Sequence, residues 1–394
     1  MRSEANYGKG IITKMRIIIG ADCVARGRDI PAFQSGEPLR LIGNELKEIW
    51  DQADLRVVNL EVPLSDTDSP IQKNGPCLRS PENTIAGFTG LKIDAVTLAN
   101  NHIKDHGERG IDSTIRALRQ SGIEYFGLGE NLNTSKRPYI VKTSNGSTIA
   151  FYACVEHEFS CAGIDTVGAN PFDPYSTFDD ISDIRNRNDY CVVLYHGGKE
   201  KYPYPSPDLQ IRCRRMIDKG ADVVICQHSH CIGCVEIYNN GFIIYGQGDF
   251  IFDHQRSGFD VDGLLVQLDT NGDGLRIEYI PVTRGNEGVR LATGEKAESI
   301  LSGFNRRSEE IREPGFIDRK YAEFAEANLC NYYKTFSGVG SSKIYRALNK
   351  LSHGKLDERL IQNIRTKNRI FRMRNYIECE AHRELLLKGF SQIQ

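Results

Sequence analysis

Residues 221–234 read ADVVICQHSHCIGC. A short run rich in Val and Ile, Val223 to Cys226, leads straight into two imidazoles one residue apart, His228 and His230. Such a run reads as a buried strand. In open α/β sheets ligands bind beyond the carboxyl ends of the strands. A surface loop that happens to hold histidines is the plain reading. A metal site is the sharper one, because neutral imidazole is the commonest metal ligand near pH 7.

The same pattern recurs upstream. The strand candidates are 16–20, 55–60, 94–99 and 190–195, with 222–226 as the fifth. They lead respectively to Asp22, to Glu61, to Asn100, Asn101 and His102, to His196, and to His228 with His230. Helical patterns separate them, at 107–120 and at 208–219, the second opened by Ser206-Pro207-Asp208 as cap, first-turn proline and acid at the positive dipole end. Strand–helix alternation of this kind predicts an α/β sheet, with the strand order unreadable. Singly, Asp22 or Asn101 would serve as a helix cap and His102 as a loop histidine. All five endings together make a constellation.

Two carboxylates, an amide oxygen and three imidazoles are hard-to-borderline donors suited to Mn, Fe or Zn. They are too many for one tetrahedral ion. Two divalent cations sharing a bridging carboxylate would use them all and activate a water. If His228-Ser-His230 continues the strand, both imidazoles point the same way, one for each ion, and Ser229 points away.

The 394 residues are 40% apolar and 26% charged, the balance of an ordinary soluble globular chain. The net charge of -2 argues against a nucleic-acid binder. It hides an asymmetry: residues 331–394 carry 13 Lys/Arg against 5 Asp/Glu, leaving 37 against 47 in residues 1–330. An acidic body with a basic tail follows. The opening MRSEANYGKGIITK has no long apolar run, no window reaches 18 apolar residues, and the 11 cysteines show no framework spacing. These features predict reduced thiols and a cytoplasmic location. Attachment to a membrane face stays open; insertion is not expected.

From 234 to 283 hairpins are expected, one around Asn239-Asn240-Gly241 and one around Asn271-Gly-Asp-Gly. DTNGDG starts like a calcium loop but has no Glu at the twelfth position from Asp269, so a turn is preferred. Residues 305–394 look helical, which places a boundary near 300. The expected division is a tail over 1–14, a catalytic domain over 15–300 and a basic helical extension over 301–394. Lys199 and Glu200, with Tyr202 and Tyr204, follow His196-Gly197-Gly198 as candidate contacts for an anion; a polar loop is the alternative. Glu156 and His157 follow a sixth strand-like run, TIAFYA, and Asn100 starts the Asn-Asn-His element; all three are candidate substrate contacts. Arg79 reads as a solvated side chain. Cys231 and Cys234 form a CxxC that reads as packed thiols beside the site.

The ordered runs GADC, NLEVPLSD, TLANNHIKDHG, VLYHGGKE, CQHSHCIG and YGQGDFIFD resemble the bacterial capsule-biosynthesis (CapA, poly-γ-glutamate synthesis) family, itself related to the calcineurin-like metallophosphoesterases. The resemblance covers roughly residues 15–255. It implies a four-layer α/β/β/α metallophosphoesterase-like sandwich. It also implies roles: Asp22 and His230 on one ion, Glu61 bridging, Asn101, His196 and His228 on the second, and His102 facing substrate as charge stabiliser or acid. Phosphoesterases of that superfamily begin with Asp-x-His, whereas Val24 stands at the third position here, which puts the first ion's ligation in question. The expected function is hydrolysis of a phosphoester or γ-glutamyl amide in capsule or exopolymer biosynthesis, on an anionic small-molecule or polymer substrate and alongside capsule-synthesis proteins. A non-catalytic metal-binding assembly factor is the alternative.

Overall fold

The structure is a computed structural model describing residues 15–390, apart from 145, 255–260, 272–273, 341 and 365–366. The N-terminal tail over 1–14 and the turn residues Gly272 and Asp273 lie outside the described residues.

Sixteen strands stand among the described residues: β1 (Met15–Val24), β2 (Leu55–Leu60), β3 (Ala95–Thr97), β4 (Glu124–Phe126), β5 (Leu128–Gly129), β6 (Tyr139–Lys142), β7 (Thr148–Val155), β8 (Gly168–Ala169), β9 (Tyr190–His196), β10 (Val223–Gln227), β11 (Val235–Tyr238), β12 (Gly241–Ile244), β13 (Asp249–Phe252), β14 (Asp262–Asn271), β15 (Gly274–Arg284) and β16 (Val289–Leu291). One sheet runs β16-β15-β14-β1-β2-β3-β4, with β13 also paired to β1; a second runs β11-β12-β10-β9-β7-β6. The expected α/β class holds, and all five predicted strands form. β1, β2, β3 and β4 pair in parallel, as do β7, β9, β10 and β12.

Period-two alternation explains how the second sheet is covered. Ile149, Phe151, Ala153 and Val155 of β7 share one core with Ile17, Ile18 and Ile19 of β1. Ala150, Tyr152 and Cys154 face the other way, under Ile181, Ile184, Cys213 and Met216 of helices Thr177–Arg187 and Pro207–Asp218. The core around β1 and β2 extends to Leu41, Leu46 and Trp50 of helix Pro38–Trp50 and to Ile111 and Leu118 of helix Gly107–Gln120. The predicted cap is present: the Ser206 hydroxyl accepts from the Leu209 amide at 3.1 Å. So is the hairpin turn, with Asn239 at φ 45° and Asn240 at φ 65° between β11 and β12.

The boundary expected near 300 falls inside helix Gly294–Glu310, and the chain divides at Ile317/Asp318. Ile300 and Phe304 pack with Ile232 and Leu264, the Ser308 hydroxyl accepts from the Val235 amide, and Arg307 donates to the Gly233 carbonyl. That helix therefore belongs to the first unit. The second unit consists of helices, from the greater part of Phe316–Phe336 to Glu380–Phe390, tied internally by Lys334–Asp357 and by Tyr345 donating to Asp357. No helix among the described residues is long and apolar enough to cross a membrane.

Candidate metal centre

The parallel strands bring their carboxyl ends to one place. Asp22 sits in β1 at a register shift relative to both β2 and β13, which turns the strand at that point. Glu61 follows β2, the Asn100–His102 loop follows β3, His196 closes β9, and His228 to His230 follow β10. The parts meet. His196 Nε2 lies 3.0 Å from Asn101 Oδ1, 3.2 Å from His228 Nδ1 and 3.2 Å from Glu61 Oε1. On the other side His230 Nδ1 lies 3.4 Å from Asp22 Oδ2. Glu61 belongs to both groups: its carboxylate lies with His196 and His228, and again with Asp22 and His230.

These spacings fit cations. Donors about 2.1 Å from one ion lie roughly 3.0–3.4 Å from one another in octahedral or tetrahedral geometry. The stronger observation is Glu61 itself. It is fully buried, and neither carboxylate oxygen receives a hydrogen bond from the described residues. A buried carboxylate without donors is strongly disfavoured unless a cation stands beside it. Burial, and then Asp22, push its pKa well above the usual carboxylate range. Burial also raises Asp22 to about 6, against the opposing pull of His230. Burial pushes His196 well down and His228 to about 3, helped in both by neighbouring histidines, so both rings are neutral at pH 7. His230 differs: burial opposes its charge, but Asp249, Glu61 and Asp22 outweigh burial and push its pKa to about 10.

Not every expected residue takes the expected place. The His-Ser-His element does not continue β10. His228 has φ 86° and His230 φ 51°, so a left-handed turn, not strand periodicity, aims the rings. His228 nevertheless goes to His196 and His230 to Asp22, while the Ser229 hydroxyl donates to the Cys231 carbonyl. Asn100, expected at the substrate, holds the loop together: its Nδ2 donates to Asn59 Oδ1 and the Leu60 carbonyl, and its Oδ1 accepts from the amides of His102 and Ile103. Glu156 and His157 do not join the centre. Val155 faces the inter-sheet core, so Glu156 points the opposite way, accepting from Tyr195 and Arg212 beside the helix Pro207–Asp218. Glu156 and His157 line a groove there with Arg212, Arg214 and Phe172. Tyr204 donates to Glu310 and packs on Phe316, a structural role. Arg79 donates to the Ser65 and Asp66 carbonyls. Lys199 and Glu200 stay close to the centre, Lys199 depressing His228 and Glu200 adding to the rise at Glu61. No disulfide joins cysteines among the described residues; Cys226 approaches Cys213 at 3.6 Å.

Five neighbours were missed. Asn59 Nδ2 donates to Asp22 Oδ1 at 2.7 Å and lies 3.2 Å from His196 Nδ1. Asp105 Oδ2 stands 2.6 Å from His102 Nδ1 and fixes that ring, with Lys73 paired to Asp105. Asp249 lies 2.9 Å from His230 Nδ1, and His254 2.6 Å from Asp249. Asp249 was visible in YGQGDFIFD, but it opens a strand where the other ligand candidates lie near or beyond a strand's carboxyl end.

The fold is an α/β scaffold with buried imidazole–carboxylate clusters at its strand ends, a donor set whose chemistry suits metal ions. The chain belongs to the bacterial capsule synthesis protein PGA_cap family, whose model matches residues 26–254, more than half of it. It is 30% identical over 213 residues to capsule biosynthesis protein CapA of Bacillus anthracis, covering 52% of this chain and 51% of that one. It is 30% identical over 209 residues to PGA biosynthesis protein CapA of Bacillus subtilis, covering 52% and 54%. It is 27% identical over 294 residues to a probable polyglutamine synthesis accessory protein of Mycobacterium tuberculosis, covering 69% and 76%. The chain thus spans about half the length of the two CapA proteins it matches.

Proposed function

We propose that this chain is a divalent-metal-dependent hydrolase serving capsule or poly-γ-glutamate biosynthesis, acting on an anionic phosphoester or on a γ-glutamyl amide. The observation that carries the reading is Glu61, a fully buried carboxylate with no donor, set between the Asn101–His196–His228 group and the Asp22–His230 group. Asp22 and His230 would hold one cation, Asn101, His196 and His228 the other, with Glu61 shared between them. Such a pair, of Mn, Fe or Zn, supplies Lewis acidity and an activated water.

The chain's own groups do the rest. His102, its Nδ1 engaged by Asp105, keeps Nε2 for a proton to the leaving group. Exposed Lys199 offers a positive charge to an anionic substrate beside His228. The two stacked sheets with helices on their outer faces support the four-layer α/β/β/α arrangement. Eleven cysteines with no disulfide among the described residues suit a reducing, cytoplasmic location.

The test is metal analysis of the purified protein with a turnover screen in Mn²⁺ over phosphoesters and γ-glutamyl peptides. Close to two cations per chain, with turnover abolished by chelator and restored by Mn²⁺, is expected. A protein that takes up no cation overturns the reading. The name of the mycobacterial relative, an accessory protein, favours a second reading in which the centre organises a synthesis complex without turnover. Two tightly held cations with no hydrolysis of any substrate in the screen would select it.

A further inference from the structure

We propose that Asp249 and His254 are ligands of the first cation, completing the set of Asp22, Glu61 and His230. This rests on the dimetal reading and extends it to residues that no strand ending pointed to. Their position follows from pairing. β13 lies parallel to β1 with Asp249 directly opposite Asp22, so the two carboxylates leave adjacent strands at the same level. β1 itself offers nothing more on that face, because two residues after Asp22 comes Val24, fully buried in the core.

The geometry is that of a shared ion. His230 Nδ1 stands 2.9 Å from Asp249 Oδ1 and 3.4 Å from Asp22 Oδ2, close to the roughly 3.0–3.4 Å edges of a coordination polyhedron. One atom of His230, one of Asp249 and one of His254 all lie within 4.8 Å of one another, as do those of Asp22, Glu61 and His230. The His254 ring is fixed in place. It stacks on Phe252 at 3.9 Å between centroids, meets the His230 ring at 4.8 Å, and brings Nε2 to 2.6 Å from Asp249 Oδ2.

Charge points the same way. Asp22, Glu61 and Asp249 put three buried carboxyl groups beside one another, a donor set that two dications would neutralise. Five protein donors of mixed oxygen and nitrogen suit an octahedral Mn or Fe better than a tetrahedral Zn, which three or four donors satisfy.

The test is cation binding followed by Co²⁺ visible absorption and by elemental analysis, on wild type, Asp249→Asn and His254→Gln. Both substitutions are close in shape, and thermal unfolding of the cation-free proteins checks that each variant folds. Each variant is expected to bind one cation at least tenfold more weakly, with an altered Co²⁺ spectrum, and to keep the other unchanged. Variants that hold both cations within twofold of wild type, with the wild-type spectrum, overturn the inference and leave the dimetal reading standing. A wild-type chain that binds no cation overturns both.

Discussion

Glu61 concentrates the problem that the centre solves. A carboxylate with no donor is tolerated at full burial only if protonated or paired with a cation, and it is best placed to meet two at once. Glu61→Gln keeps the shape and removes the charge. The expected result is an intact fold with at least tenfold weaker cation binding at both sites, read by calorimetry; wild-type affinity for both ions means that Glu61 does not bridge. The protons make a second prediction. Without cations His230 holds a proton up to about pH 10, and Glu61 titrates well above an ordinary carboxylate. A cation must displace those protons, so apparent affinity rises with pH throughout the range below about 10. Calorimetry in buffers of different ionisation enthalpy should report proton release at pH 7; uptake without release contradicts the assignment of His230. Most of this site was legible because Asp22, Glu61, Asn101, His196, His228 and His230 each lie at the carboxyl end of an apolar run. Asp249 and His254 were not, because one opens its strand and the other follows a phenylalanine-rich edge. Asp105, three residues after His102, was hidden in a loop where an acid reads as solvated.

Elements place these residues by means that local sequence shows only in part. The turn after β10 holds His228 and His230 at positive φ, a conformation costing of order 1–3 kcal/mol each for residues other than glycine. Its side-chain consequence matches the strand-based expectation while its backbone does not. His228 and His230 reach different groups because the chain reverses there, with ring centroids 6.0 Å apart. His228→Ala is therefore expected to weaken the ion near His196, and His230→Ala the ion near Asp22. Ser229→Ala is expected to change both by less than threefold, since its hydroxyl donates to the Cys231 carbonyl. Elemental analysis of the three variants decides; a common loss of the same ion from both histidine variants contradicts the division. Helix Gly294–Glu310 is the element whose membership was misread. Its helical pattern was plain, but its partners, Ile232 and Leu264, lie some 40–70 residues earlier. Phe304 is fully buried among them, so Phe304→Ala should cost about 3–5 kcal/mol in urea unfolding. A cost below 1 kcal/mol would return that helix to the tail.

On the scale of the whole molecule, the chain joins an acidic body that carries the candidate metal centre to a basic helical unit. Composition showed this division, because residues 331–394 carry a net +8 that no local motif explains. It could not show where the first unit ends, which depends on packing of Phe316 and Ile317 against residues as distant as Met216. Within the second unit, helix Lys343–Leu351 sets Lys343, Arg346 and Lys350 at spacings of three and four along one face, with Ile344, Leu348 and Leu351 along another. Three cations in register on an exposed helix suit a repeating polyanion, whose counterions are released on contact, so binding weakens steeply with salt. The full chain is expected to bind poly-γ-glutamate at low ionic strength and release it as salt is raised. Charge reversal at Lys343, Arg346 and Lys350 together should weaken that binding at least tenfold and flatten its salt dependence, with cation content unchanged. If the triple variant binds like wild type, the basic unit is not the polymer contact, and its charge serves another surface.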